Sequence, residues 1–466
     1  MRLRLARAAA VFVTTTTLAA SAQQQPWVKD RRLGEGMGVR TGNLELHPSL
    51  AAEIGYDSNY FQRAGDGTGE ERVIDALRFR ATGALGLSTL GGDRKQAIDS
   101  GAPPSVAFDA GLHLSYNELV ALSSDDADTM SNQRHVDASA DFKLHVLPQR
   151  PWSFDAYGNA VRTVEPNNTN PVEDNAFDRD SLRLGAGINW RPGGGLFEWR
   201  AGYEFVMHVF ERELFTEFNN TQHSFKTRGR WRHLPRSALV YDGSYTLVRY
   251  TNETAQNDGD IVKWMIGHNG LITKHFAELL MVGWAASFYE ARDTAAGSVQ
   301  ARNHDSFIAH AEIKWFLIPQ PTLEDTSAPV GLSSIAAGYV RDFSNSYLGA
   351  FYERDRGYVK FAYFMGGVLL LALEGGVSIY NYPHTFFPDG SIRETPFGET
   401  RIDAQLFSEY RFSDIFAVNA TVRYDQNIND RRILASRADP ATGQPEVREN
   451  LAFERWRAFV GARLFW

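Results

Sequence analysis

At 466 residues the chain could hold three ordinary domains, unless one architecture consumes it whole. It has no cysteine, which excludes disulfides, thiolate metal sites and cysteine nucleophiles, and its formal net charge of -8 argues against a general nucleic-acid binder, whose surface must be basic to hold phosphate. The most apolar later segment, "VLLLALEGGV" at 368–377, is broken by Glu374 and two glycines and falls well short of the roughly 18 apolar residues a spanning helix needs.

In chain order, residues 1–22, "MRLRLARAAAVFVTTTTLAASA", come first, with Arg2, Arg4 and Arg7 ahead of a short apolar stretch from Ala8 to Leu18 and an Ala20-Ser21-Ala22 cleavage site. That order of features is a secretory signal peptide, with Gln23 as the first residue after cleavage. Residues 23–45 lack periodicity and are too short for a plug domain, so they are expected to form a periplasmic N-terminal segment where a periplasmic partner would dock.

From residue 46 to 466 the pattern changes to strict alternation, which strands show and helices do not. In "RHVDASADFKLHV", Val136, Ala138, Ala140, Phe142, Leu144 and Val146 share one face, while His135, Asp137, Asp141, Lys143 and His145 share the other. The same two-faced writing recurs in "SLRLGAGINWR", "LFEWRAGYEFVMHV" and "IFAVNATVRYDQ". These runs reach ten or more residues, against about five or six for an ordinary strand, and suit a tilted membrane crossing.

Short turns alternate with long polar stretches, and the count gives strands at 46–61, 73–90, 105–119, 134–147, 152–165, 181–191, 196–210, 223–233, 237–250, 261–273, 277–290, 305–318, 331–345, 356–365, 368–382, 400–412, 415–428 and 453–466. The predicted fold is therefore all-β: a single antiparallel up-and-down transmembrane barrel of about 18 strands, in the range 16–20, with short periplasmic turns and long extracellular loops. The location that follows is the bacterial outer membrane, with both termini periplasmic. Aromatics near strand ends, among them Trp152, Trp190, Trp231, Trp264, Trp315 and Tyr250, are read as interfacial girdles. The last strand, "RWRAFVGARLFW", sets Trp456, Val460, Leu464 and Trp466 on one face and ends on an aromatic pair, Phe465 and Trp466. These five residues are the expected insertion signal for the outer-membrane assembly machinery.

"GVRTGNLELHPSLAAEIGYDSNYF" at 38–61 resembles the start of the beta-barrel porin 2 family of outer-membrane proteins, through Val39-Arg40, Gly42, Leu44, Leu46, Pro48-Ser49-Leu50 and Tyr56-Asp57-Ser58-Asn59. The chain also looks like the large outer-membrane barrels associated with exopolysaccharide export in myxobacteria. The resemblance implies a barrel working in exopolysaccharide secretion beside a periplasmic polysaccharide export protein. It carries no catalytic motif.

If the apolar face meets lipid and lipopolysaccharide, the other face lines the lumen. There the sequence places Arg78, Arg80, Asp137, Asp141, Lys143, Arg183, Arg200, Glu204, Lys226, Arg228, Arg230, Arg401, Asp403, Arg423 and Asp425. Both signs are abundant, so no strong one-sign filter is expected. The densest basic run is Lys226, Arg228, Arg230 and Arg232, a constriction for an anionic polymer or a solvated wall paired to its neighbours. Histidines stand singly on separate strands, and the acidic stretches at 123–129, 172–180 and 257–260 do not follow the twelve-residue calcium-loop pattern, so neither enzyme, metal nor cofactor is expected. Three tasks follow: a wide conduit for exopolysaccharide export, a non-conducting barrel anchoring an envelope or motility complex, or a general diffusion porin.

Overall fold

A computed structural model describes residues 38–65, 73–89, 105–164, 179–193, 195–211, 216, 218–252, 257–294, 297–300, 303–317, 333–345, 351–365, 368–386, 392–429, 432–436 and 447–466. The expected signal sequence 1–22, most of the expected segment 23–45, and the stretches 91–104, 172–178 and 319–330 lie outside these residues.

Alternation in the sequence becomes eighteen long strands: β1 (Leu44–Asp57), β2 (Ala76–Thr89), β3 (Val106–Ala121), β4 (His135–Val146), β5 (Trp152–Thr163), β6 (Arg179–Trp190), β7 (Phe197–Phe210), β8 (Asn220–Leu234), β9 (Ser237–Tyr250), β10 (Gly259–Leu271), β11 (Phe276–Tyr289), β12 (His304–Phe316), β13 (Ser333–Asn345), β14 (Phe351–Met365), β15 (Leu369–Tyr382), β16 (Phe397–Ser413), β17 (Phe416–Asn427) and β18 (Phe453–Phe465). Each pairs antiparallel with its sequence neighbour, and β1 pairs with β18 from Ser49↔Phe465 to Asp57↔Arg457, which closes the sheet. Closure matters because a free strand edge in hydrocarbon would leave backbone N–H and C=O groups without partners.

The two faces are chemically opposite to those of a water-soluble protein. On β1, Leu50 and Ile54 are 56% and 50% exposed, whereas Glu53 and Asp57 are buried. On β18, Trp456, Val460, Leu464 and Trp466 are exposed, while Arg455, Arg457, Phe459 and Phe465 are buried. An apolar exterior around a charged interior is the writing of a transmembrane barrel, since only lipid makes the exposed apolar belt favourable. Outward ring pairs reinforce the belt: Trp152 stacks on Trp190 at 5.8 Å and Phe276 on Trp315 at 6.2 Å.

Near the termini, β1 begins five residues before β18 reaches it. The short strand Val39–Thr41 pairs with Leu44–Leu46, and the Trp466 N–H donates to the carbonyl of Pro48 at 3.0 Å. The β6–β7 turn needs left-handed backbone at Gly193 and Gly195, with φ of 51° and 74°, which glycine supplies without strain.

Three expectations need correction. β14 starts at Phe351 and not near 356, for a reason given below. Tyr250 is not a girdle residue: it points inward and is buried among Val248, Ile261 and Tyr289. Trp264 is outward but sits mid-strand on β10. The acidic stretch 123–129 coils into short helical turns, Ser124–Asp126 and Ala127–Ser131, which bury Asp126 and Met130.

Among the described residues, one interior cluster, Leu271, Ala277 and Phe316, lies at the short-turn end, and three lie at the long-loop end. Of these three, one joins Val248, Ile261, Tyr289, Ile308, Phe343 and Phe351, a second Tyr352, Tyr380, Tyr382 and Phe397, and a third Tyr60, Ala76, Leu119 and Met130.

Candidate functional site

The interior wall divides into two electrostatic halves. Around the closing seam, from β14 through β18 to β2, neighbouring strands set opposite charges beside each other, and they pair. Arg455 grips the fully buried Asp57 with Nε at 2.8 Å and Nη2 at 2.5 Å, and Arg78 approaches the same carboxylate to 3.7 Å while donating to Asn117 Oδ1 at 3.0 Å. Both guanidiniums lie over the ring of Tyr60, at 5.8 and 6.0 Å. Glu53 accepts from Arg80 Nε at 2.6 Å and from Asn419 at 2.7 Å. Asp425 takes Arg423 at 2.9 Å and Arg457 at 3.2 Å, and Glu409 takes Arg411 and Arg463 at 3.1 and 3.2 Å. Arg356 bridges Glu374 and Asp403, and Arg401 pairs with Glu399 at 3.3 Å beneath Tyr380. Charges buried this deeply persist because each finds an opposite partner.

Across the lumen, on β4 to β9, pairing is incomplete. Arg200 binds Asp155, and Glu204 accepts from Lys226 Nζ at 2.7 Å and Tyr157 Oη at 2.6 Å. Lys143, Arg183 and Arg228 are exposed on the inner face and Arg230 half-buried, and among the described residues no carboxylate comes within ion-pair distance of any of them. Asp242 stands opposite Arg228 in the β8–β9 ladder, but the pair does not close. Arg228 and Arg230 thus form a short basic strip on β8, with half-buried Arg232 next in line, while Arg183 on β6 stands level with Gln222, nearer the long-loop end; both face a wall whose charges are already neutralised.

All fifteen sequence-selected interior residues lie on the inner face, but they do not form one site. Arg78, Arg80, Arg401, Asp403, Arg423 and Asp425 belong to the paired half; Arg200, Glu204 and Lys226 are paired on the other side; Asp137 accepts from Asn117 at 2.8 Å. Lys143, Arg183, Arg228 and Arg230 remain available to solutes, with Asp141 beside Lys143 on β4. The sequence reading missed Glu53, Asp57 and Arg455, although the outward residues between them were plain; a carboxylate or arginine in phase with the lumen face was the available signal. Among the described residues no group of three or more His, Asp or Glu could hold a metal ion, and no helix is long and apolar enough to cross a membrane. Two small cavities, about 170 Å³ beside Arg356, Tyr380 and Asp425 and about 330 Å³ beside Arg80, His113 and Arg162, lie on either side of the closing seam.

Closed ladder, apolar exterior and charged interior define a transmembrane β-barrel of the channel-forming size class. The chain is similar to the crystal structure of Acinetobacter baumannii OccAB3, with 10% identity over 90% of this chain and 99% of that one and a TM-score of 0.43. It is similar also to Pseudomonas aeruginosa OpdQ, with 10% identity, 91% and 98% coverage and a TM-score of 0.42. The siderophore receptor PiuA from Acinetobacter baumannii gives 8% identity, 96% and 89% coverage and a TM-score of 0.41. Overlap this loose carries no function to this chain. No protein-family model matches, and no curated protein matches in sequence, so the resemblance of residues 38–61 to the beta-barrel porin 2 family stands on those residues alone.

Proposed function

We propose that the protein is an outer-membrane channel that passes hydrated anionic solutes past the exposed Arg183 and along the basic strip of Arg228, Arg230 and Arg232. The observation that carries this reading is the contrast between the two halves of the wall. One half has its charges matched pair by pair, and the other leaves cations exposed to the lumen. A cation held in water costs little, and it attracts anions without binding them tightly, which suits passage.

Export of an anionic exopolysaccharide, beside a periplasmic export protein docking near residues 23–45, is the favoured task. Its support is the resemblance at 38–61 together with the basic strip. In this reading both termini and the short turns are periplasmic, and Trp456, Val460, Leu464, Phe465 and Trp466 present the barrel to the assembly machinery. A small-solute porin is the second reading, favoured by the aromatic clusters that occupy the long-loop end of the interior.

Permeation of proteoliposomes by charged sugars separates the cases. Uronic-acid oligomers of several residues should pass faster than neutral oligomers of equal length. Passage of monosaccharides alone would favour the porin, and no passage of any solute would leave a non-conducting anchor.

A further inference from the structure

β12 and β13 share a ladder from Phe316↔Ser334 to Ala309↔Arg341, although β12 runs on to His304 and β13 to Asn345. Past that point β13 leaves the wall. The Lys263 amine, on β10, donates to the carbonyl oxygen of Phe343 at 2.7 Å and lies 4.9 Å from its ring. β10 and β13 are three ladder steps apart, roughly 14 Å along the wall, which is farther than a lysine side chain spans. Phe343 must therefore lie over the lumen. Alternation would set it on the lipid face with Tyr339, which is 41% exposed, yet Phe343 is fully buried against Val248, Ile261, Ala285 and Ile308 of the four strands β9 to β12.

Only the first two residues of β14, Phe351 and Tyr352, travel with it, because from Glu353↔Asn381 onward β14 is paired to β15 in the wall. The β13–β14 ladder continues to Asn345↔Phe351, the His304 ring stacks on Phe351 at 3.8 Å, and His304 Nε2 lies 3.2 Å from Glu353. The split seam is bridged by Arg341, whose Nε donates to the Phe307 carbonyl at 3.2 Å. On the outward side Arg341 also pairs with Asp355 at 2.8 Å and Glu353 at 3.3 Å, and Tyr339 donates to Asp355. Such a charged group is incompatible with hydrocarbon, which puts the seam at headgroup level, where an unpaired strand edge can be hydrated.

We infer that the upper end of β13, Asp342 to Asn345, together with Phe351 and Tyr352 of β14, forms a flap folded over the lumen, and that this flap sets the largest solute the barrel passes. The inference rests on the reading of the barrel as a conduit. Because the flap has already left β12, it can swing outward without breaking ladder hydrogen bonds on that side. What holds it down is the Lys263–Phe343 bond, the His304–Phe351 stack and the apolar packing around Phe343. An element with a free edge and a local latch is a natural gate; a wall strand paired on both sides is not.

Because the chain has no cysteine, the test can be clean. Lys263→Cys with Phe343→Cys, joined by a short reducible thiol cross-linker, fixes the flap inward, and Lys263→Ala with Phe343→Ala releases it. Proteoliposome swelling is then measured with neutral oligosaccharides of increasing length, and folding is checked by the heat-modifiable mobility of the barrel. The released variant, and the cross-linked one after reduction, should admit oligosaccharides several times faster than wild type at lengths near its limit. The intact cross-link should hold the wild-type limit or a lower one. Equal limits in wild type and in released and folded barrel overturn the flap and leave the conduit reading standing. If the released variant fails to fold, an unchanged limit on reducing the cross-link does the same. No swelling by any form with any solute overturns both.

Discussion

Arg455 and Asp57 show how the interior is held together. Both side chains are fully buried, and they are 398 residues apart in sequence, joined where the last strand meets the first. Removing one member of a buried pair leaves an uncompensated charge, so Arg455→Ala should lower unfolding stability in detergent by about 3–5 kcal/mol. Arg228→Ala removes an exposed cation and should shift it by less than about 0.5 kcal/mol. Denaturant titration followed by gel mobility reads both. At this scale the sequence was half legible. Which residues face inward could be read from alternation, because parity alone decides it. Which of them pair could not, because Arg455 meets Asp57 only where the last strand closes on the first, and Arg457 reaches Asp425 diagonally across a ladder that sets it opposite Arg423. Free and neutralised cations therefore looked the same.

Strands were legible wherever lipid imposes its alternation. β14 was misplaced because its first residues break the rule: Glu353 and Asp355 occupy outward parity, while Tyr352 and Arg354 point the other way. That stretch is paired to β15 in the wall above the lipid, so no apolar face was required there. Tyr250 was misread although alternation already set it inside, on the parity opposite to exposed Leu239 and Tyr245. The β10–β11 pair offers a test of wall geometry. A Cβ added at Gly283 would run into the carbonyl oxygen of Trp264, whereas nothing lies within 4 Å of one added at Gly357. Gly283→Val should reduce the heat-resistant folded form in cells, and Gly357→Ala should leave it unchanged. On β18, deletion of Trp466 should lower the amount of assembled barrel in the membrane while leaving the conductance of the molecules that do insert as in wild type. Normal assembled levels would count against an insertion role for this terminus.

For the whole molecule, the division of the interior into a neutralised half and a basic strip makes charge selectivity the property that matters. The formal net charge of -8 points the opposite way, and it would suggest cation preference if the surface as a whole decided. The lumen wall decides instead, because the field inside a narrow aqueous channel comes from the nearest unpaired groups and is screened over about 10 Å at moderate salt. The reversal potential of the purified protein in a planar bilayer under a potassium chloride gradient measures this most directly. The expected result is a channel with anion preference that falls or inverts in Arg228→Glu/Arg230→Glu. Cation preference in the wild type, or no channel at any voltage, would contradict it.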